Sequence, residues 1–501
     1  MKQDNRAQWR EKAETVITGV HEWRLAHQKA TLKEIEQELD RQLAQVRARI
    51  LGDAAMASAV EEQAPVCPSC SSEMAWRGEH TRRLVTQHDA EVEIKRHYAV
   101  CPKCGVGIFP LDEELQLLPG KLTPMIEEGL VRMGTWLPFA RASQEIAYFL
   151  HVTVSERKAR QDTEQAGAAY VEVQAAEVEN ILRQLPESPA GVDKQLLSVD
   201  GAFVALVTGE WTEVKTLTLG EIQPPNAEGV VHTEKMSYFS RRSPSSEFTQ
   251  QALAETHRRG VEKSRIVCAL TDGAEWIPGF VDWHRSDAVR ILDFMHAAEY
   301  VASAGHVVFG EDTPEFQAWF AMQRRELKDG DPDKVLTTLD MLSLPQSGPT
   351  EKARQTISTS LNYLRARRDM IDYAKFQQAG YPIGSGAGEA CHKFVIQTRL
   401  KGTGMRWAPE HVNPMSALRN LVCNNRWDEG WPHIAATLRM NPHSAKSTVS
   451  QSPINPVPDP QPSKLSLLPP DFKLKPAIPW SSQRFGKALF LPSADVFHAK
   501  K

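Results

Sequence analysis

Apolar residues recur at helical spacing through residues 1–58, where Ile35, Leu39, Leu43, Val46 and Ile50 stand among Glu, Arg, Gln and Lys. The pattern predicts one or two amphipathic helices. A helix packed on the body explains it, whereas a dimerising coiled coil asks for a longer and stricter repeat. Over 81–100 the period changes: Val92, Ile94 and Tyr98 alternate with charged residues, and a polar turn at 88–90 predicts a β-hairpin. From 122 to 167 the pattern is helical again. Within it, SQEIAYFLHVTVSERKARQDTEQAG has the shape of a helix-turn-helix, with Ile146, Ala147 and Leu150 inside, a turn at 151–153 and Ser155 as N-cap. The second helix would turn Arg157, Lys158 and Arg160 outward toward phosphates or base edges; a plain helical linker yields the same pattern.

A linker at 186–191 opens a new regime. Short β-branched runs at 194–207, 214–222 and 231–240 predict three strands, followed by a helix at 246–259, a strand at 265–273, a helix at 274–283 and a strand at 289–294. Three strands and then alternating helices and strands indicate a mixed sheet. Residues 297–378 read as a helical insertion before the block GYPIGSGAGEACHKFVIQTRLKG. Between 442 and 492 lie 11 of the chain's 32 prolines, with little periodicity, so a disordered tail is expected. The expected layout is an α+β, multidomain chain: a helical region at 1–58, a metal ribbon at 59–118, a helix-turn-helix region at 119–185, a mixed-sheet domain at 192–440 and a tail at 441–501.

Composition narrows the classes. The 501 residues suffice for about three folding units. No run reaches the roughly 18 apolar residues of a spanning helix, and the charged N-terminus has no apolar segment behind it, so neither a membrane-spanning nor a secreted protein is expected. The 59 Lys and Arg against 63 Asp and Glu give a net charge of −4, which excludes a basic coat protein for nucleic acid. That total averages unlike parts. Residues 451–501 hold seven Lys or Arg and three Asp, a balance of +4, leaving −8 on the first 450.

Of seven cysteines, Cys67, Cys70, Cys101 and Cys104 form two C-x-x-C pairs at the ends of the expected hairpin, while Cys268, Cys391 and Cys423 stand alone. An odd total suits a reducing cytoplasm. Four thiolates fill a tetrahedral Zn2+ site and leave no open position, so the expected metal is structural.

Two acids end apolar runs. Asp200 closes LLSVD and Asp272 closes IVCALTD, each followed by glycine. A turn explains either one alone. An acid at the end of a buried strand nevertheless costs desolvation unless partnered, and a third, Glu389, sits in GSGAGEA. Three carboxylates can hold two Mg2+ or Mn2+ ions for phosphodiester chemistry. Near Glu389 come His392, Lys393, Arg399, Lys401, Arg406 and Trp407, candidates for phosphate contact and, at Trp407, base stacking, or else a solvated face and a core aromatic.

The order Asp200, Asp272 and Glu389, the last beyond a helical insertion, resembles the RNase H-like DDE transposases of bacterial insertion sequences. Asp293-Phe294-Met295-His296 looks like the C/D-x-x-H motif of several such groups. The CPSC, CPKCG and FPLDEEL segments and GSGAGEACHKFVIQTRLKGTGMRW are similar to the ISKra-type family. The resemblance spans roughly residues 67–431 and leaves the proline-rich end outside. It implies an RNase H-like core and transposition by metal-dependent strand cleavage and transfer. Asp200, Asp272 and Glu389 would be the metal ligands and Asp293 and His296 accessory residues. Double-stranded DNA and further copies of the chain would be partners, in a bacterial cytoplasm on the nucleoid. Two other classes are weighed: a non-catalytic zinc-ribbon and helix-turn-helix DNA-binding protein derived from a transposase, and a carboxylate-pair glycosidase, which explains neither the ribbon nor the cations.

Overall fold

A computed structural model describes residues 6–58, 60, 63–227, 229–343, 350–384, 386 and 392–440. The chain divides into two units, Met1–Thr448 and Val449–Lys501. The second unit, and with it the expected disordered tail at 441–501, lies outside the described residues.

The first unit is α+β. Helices α1 (Arg6–Ala26) and α2 (Leu32–Ala55) pack together, and α2 starts at a capping box in which Thr31 and Glu34 bond each other's backbone N–H. Its buried stripe is Ala44, Val46, Ala48 and Gly52, set against the hairpin β1 (Ala75–Val85) and β2 (Glu91–Val100). The expected stripe is therefore corrected: small residues allow the close approach, and Leu39 and Leu43 remain exposed. A short β3 (Gly107–Ile108) completes this sheet. After α3 (Pro110–Glu114), the helices α4 (Pro124–Trp136), α5 (Phe139–Leu150) and α6 (Glu156–Gln184) enclose Ile126, Leu130, Ile146, Val152 and Ala159.

The α5–α6 turn follows the expected helix-turn-helix pattern in part. His151 adopts a left-handed conformation and the Ser155 hydroxyl accepts the N–H of Lys158. Ala147, expected inside, is exposed, because Ala142 and Ile146 make the buried contact. Thr153 donates its N–H and hydroxyl to Asp89, and His151 stacks on His88, so the ribbon's hairpin turn braces this one.

The second sheet comprises β4 (Lys194–Ala205), β5 (Trp211–Ile222), β6 (Thr233–Arg241), β7 (Ile266–Thr271) and β8 (Val289–Leu292) in the order β6-β5-β4-β7-β8. β4–β5 and β5–β6 are antiparallel, and β4–β7 and β7–β8 parallel. One face, with Leu197, Val199, Leu217, Val267 and Ala269, is covered by α7 (Ser245–Gln251) and α9 (Ile277–Arg285), with α8 (Leu253–Arg258) between them in the chain. The other face is divided. Leu196, Cys268, Leu270 and Ile291 meet the expected helical insertion, α10 (Phe294–Phe309), α11 (Pro314–Asp329), α12 (Pro332–Ser343), α13 (Glu351–Arg365) and α14 (Tyr373–Gln378). Ala202, Val204 and Val214 instead meet α6, the segment 392–400, α15 (Pro409–Cys423) and α16 (Trp427–Met440).

Helix α15 covers the free edge of β6. The Asn424 side chain bonds both backbone groups of Tyr238, and that of Asn413 both of Arg242, which satisfies an edge strand's open hydrogen-bonding groups. Where α6 crosses α15, a Cβ on Gly167 would stand 2.4 Å from the Pro414 carbonyl oxygen, so glycine is required there.

Candidate functional site

Asp200 and Asp272 are brought to equivalent places. Leu197 pairs with Ala269 in the parallel β4–β7 ladder, and each acid lies three residues further along its chain. Because strand side chains alternate, the two belong with Leu196 and Cys268 to the divided face, between its two apolar clusters. Their row is polar: Asp200 pairs across β5 with Thr216, whose hydroxyl bonds that of Ser240.

Each carboxylate is held by backbone. The Gly201 N–H donates to Asp200 Oδ1 at 2.6 Å, and the Ala274 N–H to Asp272 Oδ1 at 3.0 Å. Asp200 Oδ2 meets Nε2 of buried His392 at 3.2 Å. Burial pushes the Asp200 carboxyl up, but His392 and the Gly201 N–H outweigh it and hold it below its ordinary value. Asp272 moves the opposite way, raised by burial and by the charge of Asp200 against the opposing Ala274 N–H. The third acid, Glu389, lies outside the described residues.

The helical insertion clamps the Asp272 loop. The Tyr363 hydroxyl donates to the Asp272 carbonyl at 2.8 Å, and Arg367, lying over the Tyr363 ring, donates to the Gly273 carbonyl at 2.8 Å. Tyr363 stacks on Tyr300 at 3.9 Å. Gly273 has φ +76°, with Tyr363 and Arg367 where a Cβ would be. Asp293 is buried as the N-cap of α10, its Oδ1 accepting the His296 N–H at 2.9 Å. His296 lies 3.6 Å from Glu299, which with Asp272 and Asp293 raises its pKa against burial. Sequence reasoning placed His392 only in a cation cluster; its contact with Asp200 spans the whole insertion and leaves no local signal. Tyr363 and Arg367 had none either.

The four cysteines converge. Sulfur separations are 3.5 Å for Cys67–Cys104, 3.4 Å for Cys70–Cys101 and 3.6 Å for Cys70–Cys104, and all four sulfurs lie within 4.8 Å of one another. Tetrahedral Zn–S bonds of about 2.3 Å place sulfurs about 3.8 Å apart, so the cluster can hold a structural zinc ion. The residues after Cys70 and Cys104 in the two knuckles, Ser71 (φ 55°) and Gly105 (φ 76°), are both left-handed.

The expected DNA-contacting cations separate into two kinds. Arg157, Arg160, Lys393, Lys401 and Arg406 are exposed. Lys158 instead pairs with Asp162 at 2.6 Å and Glu127 at 3.7 Å, both buried, and is corrected to an internal counter-ion. Burial and Asp162 together raise the Glu127 carboxyl despite Lys158. Arg399 is only 1% exposed; it donates to the Gly134 carbonyl at 3.1 Å and lies against the Phe139 and Trp407 rings. Trp407 is buried too, with its indole N–H on the Leu400 carbonyl at 3.0 Å, so it is a core aromatic. Lys393 begins a π-helical turn, Lys393–Gln397, and its expected one-turn spacing from Glu389 falls on residues outside those described.

No helix among the described residues is long and apolar enough to cross a membrane. Comparison of the chain with protein-family models and with curated proteins returns no match.

Proposed function

We propose that the protein is a DNA transposase of the RNase H-like DDE class, working as a homo-oligomer that holds two element ends. The ribbon and helix-turn-helix bind those ends, and Asp200, Asp272 and Glu389 serve strand cleavage and strand transfer. The observation that carries this reading is the shared register of Asp200 and Asp272 on adjacent parallel strands of the second sheet. Numbered from β4, that sheet has the order 3-2-1-4-5 with its second strand antiparallel, which supports the RNase H-like reading. A long helical insertion then separates the fifth strand from the Glu389 block, as the resemblance implies.

The donor set suits Mg2+ or Mn2+: hard carboxylate oxygens on one face, with Asp272 raised partly by repulsion from Asp200. Such ions, when bound, supply activation of water or a 3′-hydroxyl and charge stabilisation at the leaving oxygen. The chain's residues supply position. The Gly201 and Ala274 N–H groups fix one oxygen of each acid, His392 orients Asp200, and Tyr363 with Arg367 keeps the Asp272 loop in place. Asp293 buttresses the site as a helix cap.

The test is Mg2+- or Mn2+-dependent cleavage, by the full chain, of duplex DNA carrying the sequences that flank its own coding region. Cleavage is expected from the intact protein and lost in Asp200→Ala and Asp272→Ala. Undiminished cleavage by either variant refutes the assignment. Duplex binding without any cleavage by the intact chain would leave a non-catalytic DNA-binding protein.

A further inference from the structure

Helix α2 has three sides, and α1 and the β1–β2 hairpin occupy two of them. Toward α1 lie Gln42, which Gly19 meets closely, and Asp53, which accepts the Trp9 indole N–H at 2.9 Å. Toward the hairpin lie Ala44, Ala48 and Gly52. The third side carries Leu32, Leu39, Leu43 and Ile50. Steps of seven, four and seven residues keep these four within about 40° of one line along the helix, over a length of about 27 Å. Leu32 is 71% exposed, Leu39 38% and Leu43 44%, while Ile50 is half-buried. Helix α1 buries only Val16 and leaves this line open.

The line is palindromic. Residues 32 and 50 stand equally far from residue 41, and so do residues 39 and 43. A second copy laid antiparallel about that centre sets Leu32 against Ile50 of the second copy and Leu39 against its Leu43. The charges beside the line obey the same symmetry. Glu36 and Arg47 flank it on one side, at about 40° and 60° around the helix, with Glu36 five residues before the centre and Arg47 six after. Each Glu36 therefore falls beside Arg47 of the other copy, twice in one contact. Both side chains are exposed, and Arg47 bonds the neutral Thr86 hydroxyl at 3.1 Å. Asp40 lies further round, at about 80°, outside the contact line. A two-fold contact demands this self-complementarity, and an unrelated partner does not.

We propose that α2 joins two copies of the chain in an antiparallel two-fold contact, with Leu32, Leu39, Leu43 and Ile50 at its centre and Glu36 and Arg47 paired across it. The contact is one short helix crossing, at the roughly 8–10 Å spacing of packed helices, and differs from the sustained heptad repeat of a coiled coil. Its apolar line leaves water on both copies at once, and its charged flank fixes the register and the antiparallel sense. The proposal gives the homo-oligomer of the reading above a surface of contact. It draws nothing from that reading's chemistry.

The test is sedimentation equilibrium of the full chain without DNA. At about 10 μM the intact protein is expected to sediment as two chains. Leu39→Glu/Leu43→Glu sets four carboxylates in the contact and is expected to weaken association by about 100-fold or more. Near-ultraviolet circular dichroism of that variant should match the intact chain, because both positions are exposed. Glu36→Arg and Arg47→Glu each turn two attractive pairs into two repulsive ones, and each is expected to raise the dimer dissociation constant about tenfold. Glu36→Arg/Arg47→Glu exchanges the charges and should return it to within about twofold of the intact value. An intact chain that is monomeric at about 50 μM overturns the proposal. So does an unchanged mass in the glutamate variant, or a doubly exchanged chain that associates more weakly than either single one. A dimer that cleaves no DNA keeps this surface and ends the enzyme reading, whereas a monomer that cleaves does the reverse.

Discussion

Arg399→Met isolates what a fully buried guanidinium contributes. On the favourable side stand one charge-assisted hydrogen bond to the Gly134 carbonyl, about 1.5–3 kcal/mol, and contacts with the Phe139 and Trp407 rings at 4.6 and 5.1 Å, together about 2–4 kcal/mol when desolvated. Against them stand several kcal/mol for taking the cation out of water and about 1–3 kcal/mol for the orphaned Nη2 donor. Arg419 adds repulsion and, after burial, helps lower the Arg399 pKa to about 10. The two sides nearly balance. Methionine fills similar space and removes both, so urea unfolding should place the variant within about 2 kcal/mol of the parent. A destabilisation above about 4 kcal/mol would make Arg399 a structural strut and refute the reasoning.

Glu164 makes folding stability pH-dependent. With its folded pKa near 7, above the ordinary carboxyl value, Glu164 is neutral below that pH and carries charge above it. Arg160 from α6, Arg399 from the segment 392–400, and Glu410 and His411 from α15 face it, and burial lowers the His411 pKa. Stability to urea should fall as pH rises from the ordinary carboxyl value toward 7, because the folded state resists ionising Glu164, and Glu164→Gln should flatten that fall; an equally steep profile in the variant would exclude Glu164 as its source. For the ribbon, metal analysis should find one zinc per chain, and Cys101→Ser should raise amide exchange in β1 and β2 by about 100-fold while β4 and β7 stay protected. Protein purified under reducing conditions and free of zinc would overturn the four-cysteine site.

Much of the architecture is local and was legible. Alternation at 92–98 marks the hairpin, the C-x-x-C pairs mark its knuckles, Ser155 marks the start of α6, and the apolar runs ending at Asp200 and Asp272 mark β4 and β7. Each signal lies within a few residues, because strand alternation and helix capping are short-range physics. The chain alone also determined the order of strands, the helical insertion and the residue types able to hold zinc or a hard cation.

The tertiary structure decided which of those residues are available. Lys158 and Arg157 are neighbours of the same charge, yet Lys158 turns inward to buried Glu127 and Asp162 while Arg157 lines a cleft. Arg399 and Arg406 belong to one basic segment, and only Arg406 reaches solvent. His392 meets Asp200 from across the insertion, and Asp293 is spent capping α10. Whether a cation faces solvent, an acid or an aromatic ring depends on partners that another helix supplies, Glu127 of α4 for Lys158 and, 265 residues away, Gly134 for Arg399, and on the desolvation each packing imposes. Neither quantity is written in the local spacing of the chain.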